Sequence, residues 1–279
     1  KPMKHPVPTV AAVHDLSGVG RCALKVAIPV ISAMGLQVCP APTACLSAHT
    51  GFAGSHRLET VDLSDYLARQ LSAWNQMGLK FDCVYTGYLG SPRQAAVIGA
   101  FLEEQNQAVK LVDPVMGDDG RLYSGLTPEM IQAMARLAGK ATLITPNMTE
   151  YAALAGEEYS LRPRSAAEIE AMLGRLECPM AVITSVPFEG GLCNACRDEA
   201  GRVQILPFTP VARHYPGTGD IFASVLAAAL TRGQSLAQGV VLAADFVKYA
   251  ISISAEVALD ENYGVQLEAA LPMLLEART

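Results

Sequence analysis

The stretch CVYTGYLGSPRQAAVIGAFLEEQNQAVKLVDPV, residues 83–115, decides the fold. Its two short apolar runs, Cys83–Thr86 and Val109–Val112, have the composition of β-strands, and residues 91–107 between them have the apolar spacing of a helix. A strand, a helix and a second strand in this order predict a βαβ unit, in which the two strands are parallel. Because both runs are mostly apolar, they also predict a sheet that is covered on both faces.

The same alternation extends over most of the chain. Further strands are predicted at Thr9–Val13, Leu36–Pro40, Thr142–Thr145 and Ala181–Thr184, and further helices near 20–34, 62–77, 127–138, 165–176, 218–232, 235–254 and 265–277. Leu192–Arg197 and Val203–Pro207 predict an antiparallel hairpin at one edge, and residues 43–60 predict a long irregular loop. We therefore expect an α/β protein with three layers, α/β/α, and a mostly parallel central sheet.

Length and composition limit the classes of protein that fit. The 279 residues suit one domain spanning 1–279, and 51% hydrophobic against 17% charged residues excludes a disordered chain or a coiled coil. The net charge of −6 argues against nucleic acid as a partner, because phosphate contacts need basic side chains. Residues 1–8 are expected to be an N-terminal extension rather than a signal peptide, with Lys1-Pro2 left from cloning.

The cysteines and the apolar runs bear on location. Seven scattered cysteines do not form a disulfide framework, and Cys193 and Cys196, with no second pair nearby, indicate zinc only weakly. We expect free, buried thiols. The longest apolar helical candidates are interrupted by Asp245, Lys248 or Arg232, so no membrane partner is expected. These features together predict a cytoplasmic protein.

Polar motifs follow nearly every predicted strand. They are His14-Asp-Leu-Ser-Gly18, Thr86-Gly-Tyr88, Asp113-Pro-Val-Met-Gly-Asp118, Thr145-Pro-Asn147 and Thr184-Ser185. In open parallel sheets, ligands bind outside the carboxyl ends of the strands. Because these ends meet at one edge of the sheet, the motifs predict a single site there.

The segment Pro216-Gly-Thr-Gly-Asp220 opens a long predicted helix. The first N–H groups of a helix have no intrahelical acceptor, and glycines let an anion approach them closely. A carboxylate at Asp220 could orient an attacking hydroxyl toward a bound phosphoryl group. The alternative from the sequence alone is that Thr218 or Asp220 merely caps the helix.

Four residues with oxygen-bearing side chains suit a magnesium site. Asp113 and Asp118 flank a Pro-Val-Met-Gly turn, and Asn147 and Glu150 lie three residues apart at the start of a helical segment. Mg²⁺ takes few protein carboxylates and keeps waters and phosphate oxygens around it. The alternatives are a helix cap for Asn147 and a solvated first-turn acid for Glu150.

Several common motifs are absent from the sequence. There is no Gly-x-x-x-x-Gly-Lys-Ser/Thr loop, no Gly-x-Gly-x-x-Gly after the first strand and no Gly-x-Ser-x-Gly elbow. The P-loop and dinucleotide-binding classes are therefore excluded.

Six motifs in order resemble those of the pyridoxal/pyridoxamine kinases, the vitamin-kinase branch of the ribokinase-like superfamily. They are His14-Asp-Leu-Ser-Gly-Val-Gly20, Leu46-Ser-Ala-His-Thr50, Thr86-Gly-Tyr-Leu-Gly90, Val112-Asp-Pro-Val-Met-Gly-Asp118 with Tyr123, Thr145-Pro-Asn-Met-Thr-Glu150 and Gly217-Thr-Gly-Asp-Ile-Phe222. The resemblance runs from about Val10 to Ala250. It implies a ribokinase-like fold, a homodimer, and phosphoryl transfer from MgATP to the 5′-hydroxymethyl group of a vitamin B6 form, with a monovalent cation such as K⁺ as a further candidate cofactor.

The resemblance also implies roles for individual residues. Asp220 matches the catalytic acid, and the anion hole is matched by Gly217, Thr218 and Gly219. The positions around the metal and the phosphates are matched by Asp113, Asp118 and Glu150. Nucleotide contacts are matched by Asn147, Thr184 and Ser185. The segments of the pyridine pocket contain Asp15, Ser17, His49, Thr50 and Tyr88.

Asp15 departs from the pattern of the better-known pyridoxal kinases, where a Ser contacts the pyridine. Asp at this place is similar to the hydroxymethylpyrimidine kinases of thiamine synthesis, which carry Gln in place of His49 and Cys in place of Asp220. Asp15 could accept a hydrogen bond from the protonated ring nitrogen, pair with the amine of pyridoxamine, or accept N–H groups of the following turn. Hydroxymethylpyrimidine kinase is the alternative function. A sugar kinase is less favoured because the first strand leaves no room for lid strands, and a non-catalytic sensor because Asp220 and the acidic cluster are retained.

Overall fold

A nine-stranded sheet forms the centre of the computed structural model, which describes residues 7–52, 57–123, 126–257 and 259–276. Its strands are β1 (Thr9–Ser17), β2 (Gln37–Leu46), β3 (Thr60–Asp62), β4 (Cys83–Thr86), β5 (Val109–Val112), β8 (Leu143–Ile144), β9 (Met180–Phe188), β10 (Gly191–Arg197) and β11 (Val203–Phe208). Between β5 and β8 in the chain, β6 (Gly117–Asp118) and β7 (Arg121–Leu122) form a separate small hairpin that the sequence did not predict.

The strand order is β11-β10-β9-β8-β5-β4-β1-β2-β3. The six strands from β9 to β2 in this order are parallel, which confirms the predicted sheet. The hairpin of β10 and β11 closes one edge, as predicted, and β3 pairs antiparallel with β2 at the other. All carboxyl ends of the parallel strands therefore lie at one edge of the sheet.

Helices cover both faces of the sheet. They are α1 (Leu24–Ala33), α2 (Ser64–Gln76), α3 (Pro92–Glu104), α4 (Pro128–Ala138), α5 (Met148–Ala155), α6 (Ala166–Gly174), α7 (Thr218–Thr231), α8 (Leu236–Ala255), α9 (Leu267–Ala270) and α10 (Pro272–Glu276), with 3₁₀ turns at Thr50–Phe52 and Glu261–Tyr263. Successive strand residues point to opposite faces, so Val84 joins the core beneath α2 to α6, whereas Tyr85 joins the core beneath α1, α7 and α8. This arrangement is the predicted α/β/α layering.

Local sequence explains where several helices begin. The hydroxyls of Ser91 and Thr127 accept hydrogen bonds from backbone N–H groups of the first turn, and a proline follows each. Ser165 and Ser235 form capping boxes with the Glu or Gln three residues later. Ser91 follows β4 directly, so the helix that it caps begins at the carboxyl edge of the sheet.

Strand β2 is longer than predicted, since the sequence indicated an end at Pro40 and an irregular loop over 43–60. The N–H of Gln37 points toward β1. Backbone N–H groups alternate between the two sides of a strand, so the nitrogens of Pro40 and Pro42, which carry no hydrogen, lie on the side away from β1. No partner strand needs a donor on that side, because β3 pairs only with 44–46. The predicted loop is thus reduced to 47–59, of which residues 53–56 lie outside the described part.

Three other boundaries differ from the prediction. Strand β1 continues past Val13 to Ser17 through an irregularity between His14 and Leu16, and β9 continues past Thr184 to Phe188. The final helix, predicted over 265–277, is divided at Leu271 before Pro272, and residue 277 lies outside the described part.

Helix α8 is long and apolar enough, with a mean hydropathy of 1.4, to meet the length and composition criteria for a membrane span. Its buried residues, however, recur every three or four positions from Leu236 to Ala250 and pack in the core beside α7. Asp245 and Lys248 lie exposed on the other side. This one-sided pattern is that of a helix packed on a protein core.

The seven cysteines are all free thiols, as predicted. Cys193 and Cys196 lie three residues apart on β10, so they belong to the cores on opposite faces of the sheet. Their geometry does not allow both thiols to bind one metal ion.

Candidate active site

The N-terminus of α7 lies open at the carboxyl edge of the sheet. Gly217 precedes the helix with φ +83°, and a Cβ there would overlap the backbone of Arg21. No side chain caps the helix, because the Thr218 hydroxyl donates to the carbonyl of Tyr215. The capping alternative for Thr218 and Asp220 is therefore wrong, and the first N–H groups remain available to an anion.

The carboxylate of Asp220 points toward β1 instead. Its Oδ2 accepts a hydrogen bond from the N–H of Ala23 at 2.7 Å, and its Oδ1 lies 2.9 Å from Nε2 of His14. The other ring nitrogen of His14, Nδ1, lies 2.9 Å from Oδ1 of Asp15. One imidazole thus bridges two carboxylates that are 205 residues apart in the sequence (220 minus 15).

The bridge changes the protonation of its members. Burial lowers the pKa of His14, but the charges of Asp220 and Asp15 and their hydrogen bonds outweigh it and raise that pKa to about 10. Burial raises the pKa of Asp15, and the hydrogen bond and charge of His14 more than offset this, so that it is lowered. His14 is therefore an imidazolium at neutral pH, and Asp15 beside it is a carboxylate.

A second group of acids lies beyond β5 and β8. The hydroxyl of Thr145 donates to Oδ1 of Asp113 at 3.1 Å. Burial, together with the charge of Asp220, raises the pKa of Asp113 to about 7. Glu150 is also buried, and burial and the charge of Asp113 raise its pKa well above the usual range.

Asn147 and Glu150 form a capping box at the start of α5. The side-chain oxygen of Asn147 accepts the N–H of Glu150, and Oε2 of Glu150 accepts the N–H of Asn147 at 2.8 Å. Oε1 of Glu150 accepts the N–H of Met116 at 3.1 Å, and Nδ2 of Asn147 donates to the carbonyl of Gly117. The alternative for Asn147, a helix cap, is confirmed, whereas Glu150 is 4% exposed and is not a solvated acid.

Asp118 completes this second group from the β6–β7 hairpin. Its pKa is raised by burial, and its Oδ1 accepts the N–H of Asp119. Within the described residues, no three His, Cys, Asp or Glu side chains converge into a ready-made metal site. The donor set, carboxylates around an edge that is open to phosphate oxygens, is nevertheless the kind that Mg²⁺ uses with few protein ligands.

Thr184 and Ser185 lie on β9 rather than after it. The N–H of Thr184 donates to the carbonyl of Pro146, and Ser185 adopts φ +56° where the pairing with β10 is irregular. The side chain of Asn194 accepts the N–H of Ser185 at 3.2 Å and supports this unusual backbone. The neighbouring strand β8 ends at Ile144, which pairs with Ala181. Thr184 and Ser185 therefore lie beyond the end of β8, at the carboxyl edge of the sheet.

The residues of the predicted pyridine pocket are mostly engaged within the protein. The buried hydroxyl of Ser17 donates to Oδ2 of Asp15 at 3.1 Å. The two ring nitrogens of His49 contact the carbonyl of Asn262 at 2.6 Å and the N–H of Gly51 at 3.0 Å. Thr50 is exposed and Tyr88 half-buried at the same edge. The turn alternative for Asp15 had its carboxylate accept N–H groups of residues 17–20, whereas the structure shows it accepting the Ser17 hydroxyl.

The sequence missed the role of His14. It stands at the carboxyl end of a buried strand, directly before Asp15, and that position was the available signal. Gly87 belongs with it, because a Cβ at Gly87 would overlap the His14 ring. The N–H of Ala23 could not be foreseen, since its contact with Asp220 depends on how α7 packs against α1.

Comparisons with known proteins identify the family and the fold of this chain. The family model described as phosphomethylpyrimidine kinase matches residues 26–265. A Bacteroides thetaiotaomicron protein assigned as a phosphomethylpyrimidine kinase, crystallised with pyridoxal, is 38% identical, with a TM-score of 0.90 and coverage of 96% of each chain. Pyridoxal kinase from Lactobacillus plantarum is 35% identical, with a TM-score of 0.87 and coverage of 98% of each chain.

A curated sequence relative points the same way. The pyridoxine/pyridoxal/pyridoxamine kinase of Bordetella avium is 29% identical over 261 residues, which cover 87% of this chain and 84% of that protein. The similarity therefore extends over most of each chain.

Proposed function

Because this chain belongs to the phosphomethylpyrimidine kinase family, we propose that it transfers the γ-phosphoryl group of ATP to the 5′-hydroxymethyl group of a vitamin B6 form. The acceptor is pyridoxal, pyridoxamine or pyridoxine. The observation that carries the proposal is the Asp220 carboxylate beside the open N-terminus of α7, at the edge that also holds the second acid group. The similarity to one protein crystallised with pyridoxal and to a second named pyridoxal kinase supports the choice of acceptor.

Asp220 acts on the acceptor. Its carboxylate accepts a hydrogen bond from the 5′-hydroxyl and orients the attacking oxygen. It takes up the proton as the new O–P bond forms and the bond between the γ-phosphorus and the bridging oxygen breaks, with ADP as the leaving group. The N–H groups of Thr218 and Gly219, with the dipole of α7, stabilise the negative charge on the transferred phosphoryl oxygens. The transfer needs positioning and charge neutralisation more than covalent help.

Asp113, Asp118 and Glu150 would hold Mg²⁺, directly or through water, and the metal when bound neutralises phosphate charge. Two of these carboxyls are buried with raised pKa values, which is the environment expected of groups that share a cation. Asn147, Thr184 and Ser185 would line the nucleotide. A monovalent cation such as K⁺ would fit the same acidic edge.

The vitamer would lie among Asp15, Ser17, His49, Thr50 and Tyr88. The half-buried ring of Tyr88 offers a face for the pyridine, and the 3₁₀ turn that begins at Thr50 borders the opening. The whole chain would act as one domain, assembled as a homodimer in the cytoplasm, with small molecules as its only other partners.

Hydroxymethylpyrimidine is the second candidate acceptor. The family description and the Asp at position 15 favour it. Both acceptors are heteroaromatic rings with a hydroxymethyl group, so the same Asp220 chemistry would serve either.

A coupled assay of ADP release tests the proposal with pyridoxal, pyridoxamine, pyridoxine and hydroxymethylpyrimidine at saturating MgATP. We expect kcat/KM for at least one B6 vitamer to exceed that for hydroxymethylpyrimidine by tenfold or more, which is about 1.4 kcal/mol. Activity with hydroxymethylpyrimidine alone would establish the second candidate. Absence of activity with all four would refute both.

A further inference from the structure

We propose that His14 is a positioning residue for the transfer, and that its imidazolium, held by Asp15, fixes the Asp220 carboxylate toward the acceptor hydroxyl. This inference rests on the proposed function, since it assigns a partner to the acid of that site. It also gives Asp15 a role that acts through His14 rather than by contact with the pyridine ring.

The two carboxylate contacts define the protonation of the ring. Asp15 and Asp220 are hydrogen-bond acceptors when charged, and each has an oxygen 2.9 Å from a different ring nitrogen of His14. Both contacts are favourable only when both nitrogens carry a proton. The backbone N–H of Asp15 also lies 2.9 Å from Nδ1, but the charged Asp15 carboxylate makes donation from Nδ1 the favoured arrangement.

The ring has no freedom to reorient. His14 is 2% exposed, a Cβ at Gly87 would overlap it, and the ring of Tyr85 meets it edge-on at 6.2 Å. The backbone N of Tyr88 lies 3.3 Å from both ring nitrogens. The imidazolium therefore presents its Nε2–H to Asp220 from one direction.

The carboxylate of Asp220 is fixed as a consequence. His14 donates to Oδ1 and the N–H of Ala23 donates to Oδ2, so two donors from separate elements set its plane. The remaining lone pairs are available to an acceptor hydroxyl. Geometry of this kind matters, because a displacement of about 1 Å at a reacting group can reduce the rate about 100-fold.

Asp15 is committed to the same bridge. Its Oδ1 faces His14 and its Oδ2 accepts the Ser17 hydroxyl at 3.1 Å, while the residue is 7% exposed. A direct contact between Asp15 and the pyridine would compete with these bonds. If Asp15 acts through His14, the effect of removing its charge depends on whether His14 is present.

A double-mutant cycle in kcat tests this dependence, with the most active of the four acceptors. We expect His14→Ala to lower kcat about 10- to 100-fold while KM for ATP changes less than about threefold. Asp15→Asn should lower kcat in the wild-type background and have little further effect in His14→Ala. An equal effect of Asp15→Asn in both backgrounds, or more than half of wild-type kcat in His14→Ala, would overturn the proposal.

Two further variants separate positioning from folding. His14→Gln keeps one donor toward Asp220, so it should retain more activity than His14→Ala, and it serves in the cycle if the alanine variant does not fold. Asp82→Asn is the matched control, because Asp82 Oδ2 accepts the N–H of Thr9 at 2.7 Å at the opposite end of β1. It should lower the melting temperature and leave kcat unchanged. Equal activity in the Gln and Ala variants would contradict the positioning role.

Histidine-selective ¹⁵N NMR of the full chain tests the charge without any catalysis. We expect both ring nitrogens of His14 to be protonated at pH 8, and a neutral ring at that pH would overturn the proposal. The charged and titratable groups that face the ring are Asp15 of β1, Asp220 of α7, Tyr85 of β4 and Asp113 after β5. If the wild type phosphorylates no acceptor, the proposed function fails, and the spectrum alone then decides whether His14 bridges the two acids.

Discussion

Two pairs of acids lie at the same sheet edge and differ in which groups of the protein offset their charge. Asp15 and Asp220 share the imidazolium of His14, and the pKa of Asp15 is lowered. Asp113 and Glu150 are hydrogen-bonded to a hydroxyl and to backbone N–H groups, and in the described part of the chain neither pairs with a basic side chain. Burial raises both of their pKa values, together with the charge of Asp220 at Asp113 and the charge of Asp113 at Glu150. The first pair shares one cationic side chain of the protein, whereas no cationic side chain bonds the second pair in the described part of the chain.

This difference indicates that the two acid pairs have separate roles in the phosphoryl transfer. Buried charges are costly unless they are paired, and acids with strongly raised pKa values cluster at functional sites. We infer that the second pair receives its cation with the nucleotide, as MgATP, and that the first pair acts on the acceptor. The two pairs can therefore be disrupted separately.

The largest effect is expected from the first pair. Asp220→Asn should lower kcat by roughly 10²–10⁴, the usual contribution of a positioned acid–base group. Folding should be kept, since the amide oxygen can still accept the N–H of Ala23. Steady-state kinetics with the best acceptor measures the change. A variant that keeps more than a third of wild-type kcat would show that Asp220 is not the acid of the site.

A smaller effect is expected from replacing Asp118, the acid that lies near the second pair. Asp118→Asn should raise the magnesium concentration needed for half-maximal rate by about tenfold, because one carboxylate near the metal is lost. Asp119→Asn is the matched control, since it removes an exposed acid from the same hairpin and Asn tolerates the φ of +47° at that position. Equal magnesium dependence in the two variants would place the metal elsewhere.

The smallest effect concerns stability at alkaline pH. The pKa of His14 is about 10 in the folded chain and about 6.5 when unfolded, so its contribution is complete below pH 6.5 and is lost as the pH rises through about 10. The free energy of unfolding should therefore fall with pH more steeply in the wild type than in His14→Gln between pH 8 and 10, by at most about 1.4 kcal/mol per pH unit. Urea denaturation at several pH values measures both slopes. Parallel slopes would show that His14 is neutral.

The sequence predicted the sheet and the edge at which both acid pairs lie, because these features depend on local sequence patterns. Apolar alternation in stretches such as 83–115 specifies the strands and their order in the chain, and the end of each parallel strand locates the polar residues. The Asn147 to Glu150 spacing is itself a capping signature, and it was kept as an alternative for that reason.

The parts that the sequence did not predict depend on distant contacts. Nothing near His14 indicates Asp220, because the two residues meet only through the packing of α7 beside β1. The continuation of β2 through Pro40 and Pro42 likewise depends on which side of the strand lacks a partner. Neither the contact between His14 and Asp220 nor the continuation of β2 can be predicted from local propensity.

Thermal unfolding with and without Mg²⁺-ADP tests the division between the two pairs most directly, in the wild type, Asp220→Asn and Asp118→Asn. A ligand that binds only the folded state raises the melting temperature according to its affinity. We predict a clear rise in the wild type, a rise at least as large in Asp220→Asn, and a reduced rise in Asp118→Asn. A rise that is lost in Asp220→Asn but unchanged in Asp118→Asn would contradict the account.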